Sequence, residues 1–143
     1  MTDPFDLQRF LDAQAPVYAR VLTELRRGQK QSHWMWFIFP QLAGLGHSAM
    51  ARRFAIASRE EAVAYLGHAV LGARLRECTV LVGAVEGREV REILGSPDDL
   101  KFQSSMTLFS AVSADPEFAA AIAKFYGGRS DQRTLDLLVP QRL

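Results

Sequence analysis

Residues 31–41 contain the side chains best suited to binding a ligand. Both tryptophans of the chain, Trp34 and Trp36, lie here together with Phe37 and Phe39. Indole and phenyl faces stack on flat rings, and polar groups beside a buried aromatic wall can orient a ligand. The polar residues that bracket the run include Gln31, His33 and Gln41. The segment therefore predicts a pocket walled by Trp and Phe, although residue types alone favour a segment that only fills the core.

Further polar groups could line the same pocket. His33 is the one titratable group within the aromatic segment, and imidazole is the usual general base near neutral pH. Lys101 and Ser105 are four residues apart on a predicted helix, where an amine can hold a phosphate or act as base to a serine. Asp131 stands at the predicted start of another helix. We expect His33, Lys101 and Asp131 to meet at the edge of the aromatic wall; the alternative is that each only supports a helix start.

The elements that must position these residues read as short helices. Apolar residues recur at helical spacing up to Gly28, and Ser58 with Glu61 forms a capping box. A capping residue followed by proline predicts two more helix starts, at Ser96-Pro97 and Asp115-Pro116. Only residues 79–82 are β-branched enough to leave a strand as an alternative. The prediction is an all-α fold, a single compact, irregular domain over residues 1–143 with about seven to eight helices.

Composition and charge exclude several classes of protein. The chain has 143 residues, of which 48% are hydrophobic and 23% charged, and its formal net charge is +1. These values are typical of a globular domain rather than a disordered chain. A protein that binds nucleic acid through phosphates usually carries a basic excess or stripe. The clustered basic residues here are only Arg26, Arg27, Lys30, Arg52 and Arg53. We therefore expect no nucleic-acid partner.

Cysteine, histidine and hydropathy patterns limit the cofactors and the location. Cys78 is the only cysteine, so an intramolecular disulfide or a cysteine-based zinc site cannot form. The three histidines lack the close spacing of metal ligands. The longest strongly apolar run, residues 34–40, is too short to span a bilayer, and the N-terminus has no apolar signal core. We expect a soluble, cytoplasmic protein without metal, cofactor or membrane contact.

Residues 31–42, with the sequence Gln-Ser-His-Trp-Met-Trp-Phe-Ile-Phe-Pro-Gln-Leu, resemble the signature of a bacterial family of unknown function that often bears the label calpastatin. The segments Ser104-Ser-Met-Thr-Leu-Phe109 and Thr134-Leu135 agree with the same family. The resemblance covers nearly the whole chain and implies a single all-helical domain without an established activity, so it assigns no catalytic residue. Calpain inhibitors are long, polar, largely disordered chains, and this hydrophobic composition excludes that function.

Two functions remain open. In the first, the protein binds a small anionic or aromatic metabolite, such as a nucleotide, in the aromatic pocket, with or without catalysis. The candidate ligand-binding residues are Gln31, His33, Trp34, Trp36, Gln41, Lys101, Ser105 and Asp131. In the alternative, the protein is a non-catalytic interaction module that docks a partner through an aromatic patch. The identity of the ligand, any reaction and the oligomeric state stay open, and burial of the two tryptophans distinguishes a pocket from a patch.

Overall fold

The structure, a computed structural model, describes residues 2–139. This part of the chain contains ten α-helices. The all-α prediction is confirmed, because the sole β contact in this range is an isolated parallel bridge between Leu42 and Ile56. In chain order the helices are α1 (Gln8–Gln14), α2 (Tyr18–Arg26), α3 (Met35–Ile38), α4 (Ala49–Arg53), α5 (Arg59–Gly67), α6 (Leu71–Gly83), α7 (Val90–Leu94), α8 (Asp98–Val112), α9 (Pro116–Tyr126) and α10 (Gln132–Leu138).

The helices are more numerous than the mean helix length predicts, because three of them are very short. Helix α3 has four residues, and α4 and α7 have five each. Helices of this length are not stable in isolation, so tertiary packing must hold them. Residues 79–82 lie inside α6, where packing against α2 and α9 overrides their β-branched character.

Most of the predicted helix ends are confirmed. Helix α2 ends at Arg26, and Gly28 follows its C-cap with a φ of +72°, which favours glycine. The Ser58 hydroxyl accepts a hydrogen bond from the Glu61 N–H at 3.1 Å, whereas the Glu61 side chain accepts from the Ala57 N–H at 3.2 Å instead of completing the capping box with Ser58. Asp131 caps α10 by accepting from the Thr134 N–H at 3.2 Å. These signals act over three or four residues, so the local sequence is sufficient to set them.

Two capping predictions are wrong in detail. Helix α8 begins at Asp98 with Pro97 in the N-cap position, so Ser96 does not cap it. Asp115 does occupy the N-cap position of α9, but its side chain makes no capping hydrogen bond. Its carboxylate accepts instead from Arg76 Nε at 2.9 Å. A charged guanidinium is a stronger donor than a backbone N–H, and α6 brings that donor within reach.

Helix α8 is the centre of the fold and packs against α5, α7, α9 and α10. Its buried Phe102 lies edge-on to Phe39, with ring centres 4.9 Å apart. About two turns further along the same face of α8, the ring centre of Phe109 lies 5.5 Å from that of Tyr65. This packing joins the aromatic segment to the central helix and brings the first turn of α8 beside residues 31–41.

Within residues 2–139, no helix combines the length and the apolar character that crossing a bilayer requires.

Candidate functional site

Trp34 belongs to the hydrophobic core. Its side chain is 1% exposed, and its indole N–H donates to Glu24 Oε1 at 3.0 Å. A buried indole N–H needs an acceptor, and this carboxylate supplies it. The ring therefore offers no open face to a ligand. Trp34 is therefore excluded from a pocket wall, and of the two tryptophans only Trp36, which is half-buried, stays a candidate for it.

Glu24, which the sequence reasoning missed, organises the start of the aromatic segment. This glutamate of α2 is 4% exposed and accepts the backbone N–H groups of Gln31 at 2.7 Å and Ser32 at 3.0 Å. It also accepts the Ser32 hydroxyl at 2.5 Å. Burial acts to raise the pKa of Glu24, but these hydrogen bonds outweigh burial and lower the pKa to about 2. A signal was present in the sequence, because Glu24 lies three residues after Val21 on the apolar face of its helix.

A charged cluster joins the aromatic segment to the first turn of α8. Asp98 contacts two ammonium groups, Lys30 Nζ at 2.9 Å and Lys101 Nζ at 3.7 Å. The Lys30 side chain is only 8% exposed, and its Nζ lies 5.1 Å from the centre of the Trp34 ring. Lys101 Nζ lies 5.6 Å from the centre of the Trp36 ring. Lys30, Trp36, Asp98 and Lys101 together are called the lysine–tryptophan site below.

Ser105 lies one turn beyond Lys101 but is fully buried. Its hydroxyl has no hydrogen-bond partner among residues 2–139. The hydrogen bond that a serine nucleophile donates to its lysine base is therefore not formed. Complete burial also keeps the Ser105 hydroxyl away from any ligand that sits at the surface.

Asp131 forms hydrogen bonds with both α10 and α8. Besides capping α10, its carboxylate accepts the hydroxyl of Thr134 at 2.5 Å and that of Ser104 at 3.1 Å. Its own N–H donates to Thr107 Oγ1 at 2.9 Å. These contacts fasten α10 to α8 about one to two turns beyond Lys101. All three hydrogen bonds to the carboxylate end on Asp131 Oδ2, and Oδ1 accepts none from residues 2–139.

The other predicted polar residues lie at or near the surface. Gln31 and His33 are exposed, and Gln41 is half-buried. The backbone of Gln41 is held in place, since its carbonyl accepts from the Ile56 N–H at 2.9 Å. The structure thus places Lys101 of α8 beside Trp36 and joins Asp131 to α8 by hydrogen bonds. In the described range, no hydrogen bond or ion pair links His33 to either of them.

Residues 2–139 contain no group of three or more His, Cys, Asp and Glu side chains that is placed to hold a metal ion. The polar groups of the lysine–tryptophan site are two ammonium groups and one carboxylate. Ammonium groups repel cations and attract anions, so this donor set suits an anionic ligand.

The architecture and this site define a class: an all-α domain in which a buried glutamate and a lysine–aspartate cluster flank an aromatic core segment. The sequence matches the family described as "Protein of unknown function (DUF1810)" over residues 4–138, so the chain belongs to that family. The resemblance of residues 31–42 to a family of unknown function is thereby confirmed. No curated protein matches the sequence.

A solved structure agrees with this assignment. The chain is similar to the conserved hypothetical protein Rv1873 from Mycobacterium tuberculosis, determined by crystallography. The two are 58% identical, the match covers 97% of this chain and 100% of that one, and the TM-score is 0.96. At this identity and coverage, the similarity supports the same helical fold throughout.

Proposed function

We propose that the protein binds a small anionic ligand with a flat ring, of the nucleotide type, at the lysine–tryptophan site. One observation carries the proposal: Asp98 faces both Lys30 and Lys101, and Lys101 also lies over the ring of Trp36. One carboxylate against two ammonium groups leaves one positive charge in excess. An aromatic surface beside an excess positive charge suits a ligand that is both flat and negatively charged.

Lys101 is the group that a phosphate would contact. Lys30 is the closer partner of Asp98, at 2.9 Å against 3.7 Å for Lys101. The side chain of Lys101 is also more exposed, at 27% against 8% for Lys30. Lys30 therefore neutralises Asp98 in a nearly buried pair, and the ammonium group of Lys101 stays available to an anion from solvent.

Trp36 supplies the surface for the flat ring of the ligand. The other three residues of α3, Met35, Phe37 and Ile38, are buried, so they fix the short helix and with it the half-buried indole. A preformed aromatic surface binds with a smaller entropy cost than a mobile one. Gln31 and His33 are exposed immediately before α3 and would meet the polar edge of the ligand.

Partner docking through an aromatic patch receives less support. Trp34, Phe37 and Phe39 are buried, which leaves Trp36 as the segment's remaining half-buried aromatic residue. One ring falls short of the contiguous apolar patch that a docking surface needs. Catalysis by a serine–lysine pair lacks support as well, because the Ser105 hydroxyl makes no hydrogen bond to Lys101. Ligand binding is thus the function that these residues support best.

Thermal unfolding with nucleotides tests the proposal. AMP, GMP, CMP and UMP should each be compared with the corresponding nucleoside and with inorganic phosphate. A ligand present at about 100 times its Kd adds about 2.7 kcal/mol to the free energy of unfolding and raises Tm. We expect at least one nucleotide to do so more than its nucleoside or phosphate does, since it engages both Trp36 and Lys101.

Variants assign the binding to the site. Lys101→Gln and Trp36→Leu should each remove the nucleotide-dependent rise in Tm. Arg20→Gln, which also deletes one positive charge but lies exposed on α2, is the matched control and should retain it. The absence of a shift with all four nucleotides, or an equal loss in Arg20→Gln, would count against the proposal.

A further inference from the structure

A concave surface lies between α7, the start of α8 and the end of α9. It has a volume of about 650 Å³, within the range of roughly 300–1,000 Å³ that is usual for small-molecule sites. Its charged lining residues are Arg88, Glu89, Arg91, Asp99, Lys124 and Arg129. We call this surface the arginine cleft.

The arginine cleft is separate from the lysine–tryptophan site. Its residues on α8 are Asp99, Leu100 and Gln103, whereas Asp98 and Lys101 belong to the lysine–tryptophan site. The two sites therefore share no residue.

The arginine cleft has an excess of positive charge. Four cationic side chains line it against two carboxylates. Lys124 pairs with Glu86, but Arg88, Arg91 and Arg129 form no ion pair with a carboxylate of residues 2–139. Glu89, one of the two lining carboxylates, is exposed at the N-cap of α7, where the Glu92 side chain accepts the Glu89 N–H at 2.9 Å. Guanidinium groups bind phosphate through paired, charge-assisted hydrogen bonds, so three of them in one cleft favour a phosphate group.

Asp99 adds a requirement for a hydrogen-bond donor, which a fully ionised phosphate group does not supply. Its Oδ1 atom is buried and has no hydrogen-bond partner among the described residues. Leaving a buried carboxylate oxygen without a donor is costly. Tyr126 does not supply the donor, because its hydroxyl donates to the backbone carbonyl of Asp99 at 2.5 Å. Because Asp99 lines the cleft and is partly exposed, a rotation of its carboxylate would present Oδ1 to a hydroxyl group of a bound ligand.

We propose that the arginine cleft binds a sugar phosphate. The phosphate is held by the guanidinium groups, and a sugar hydroxyl donates to the free oxygen of Asp99. Phe125 and Tyr126, both half-buried, line the same cleft and provide an apolar wall for the ring of the sugar. The site stands on observations separate from those behind the nucleotide proposal, so either can fail without the other.

Calorimetric titration with ribose 5-phosphate tests this inference, with ribose and inorganic phosphate as the comparison ligands. We expect ribose 5-phosphate to bind most tightly, because phosphate lacks the sugar ring that packs on Phe125 and Tyr126, and ribose lacks the anion. Arg91→Gln combined with Arg129→Gln should weaken it by about tenfold or more, since each removes a charge-assisted contact. Arg20→Gln is again the matched control and should bind as the unaltered protein does.

Asp99→Ala separates the hydroxyl contact from general electrostatics. Removing a carboxylate from a phosphate site should leave inorganic phosphate binding unchanged or stronger, while ribose 5-phosphate binds more weakly. Because Asp99 is in the first turn of α8, Asp99→Leu, which is similar in size and also lacks an acceptor, serves the same purpose if the alanine variant does not fold. Binding of ribose 5-phosphate that is absent, no tighter than that of phosphate, or lost in Trp36→Leu rather than in the arginine variants overturns the inference.

Discussion

Trp34 and Glu24 are joined inside the core by a hydrogen bond of 3.0 Å from the indole N–H to the carboxylate. The same carboxylate accepts the backbone N–H groups of Gln31 and Ser32. One buried acidic side chain of α2 therefore positions the chain where it enters the aromatic segment. Lys30, the residue just before Gln31, contacts Asp98 and lies over the Trp34 ring. The polar edge of the core and the lysine–tryptophan site are thus built from one connected set of contacts.

Glu24→Gln should destabilise the protein by about 2–4 kcal/mol, since an amide cannot accept all the hydrogen bonds that the buried carboxylate accepts. The pKa of Glu24 is lowered from 4.5 to about 2 in the folded state, so its contribution to stability is present above pH 4.5 and is lost as pH falls towards 2. Urea unfolding across this pH range measures both effects. Glu24→Gln should flatten the acid-side decline, whereas the exposed Glu60→Gln should leave it unchanged.

Trp34→Ala and Trp36→Ala should differ in their cost to stability. Trp34 is fully enclosed, so its truncation leaves a cavity and an unpaired Glu24 and should cost about 3–5 kcal/mol. Trp36 is half-buried and should cost less. Free energies of unfolding from denaturant titration make the comparison, and equal losses would contradict the burial difference.

Lys30→Gln should reduce stability more than Lys101→Gln does. Lys30 forms the shorter and less exposed contact with Asp98, and its loss should cost about 1–3 kcal/mol. Lys101 is more exposed and more distant from the carboxylate, so its loss should cost less than about 1 kcal/mol. Thermal or urea unfolding of the two variants decides the order. The reverse order would show that Lys101 is the main partner of Asp98.

Cys78 should be unreactive in the folded protein. Its side chain is completely buried, and burial raises the pKa of the thiol to about 12, so almost no thiolate is present near neutral pH. A chromogenic disulfide reagent at about pH 8, where an exposed cysteine is substantially ionised, should react only after denaturant is added. Rapid labelling of the native protein would mean that α6 opens locally.

The helix ends illustrate what local sequence can predict. Gly28, Ser58 and Asp131 act on residues at most a few positions away, and each ends or begins a helix as expected. Ser96 shows where this reasoning fails, since the start of α8 depends on how the chain arrives from α7. Sequence reasoning also missed Glu24. A glutamate among the apolar residues of a helix gives no indication of its role until the backbone and side-chain groups that it binds are known.

The amino-acid sequence by itself determined the helical class of the protein and, through residues 31–42, its family. Both follow from short-range patterns, namely the spacing of apolar residues, capping side chains and a specific string. Only the tertiary structure decided that Trp34 is enclosed while Trp36 is not, and that Lys101 lies over Trp36 and shares Asp98 with Lys30. Burial and ion pairing depend on which helices pack together, and residues distant in sequence meet only after that packing has formed.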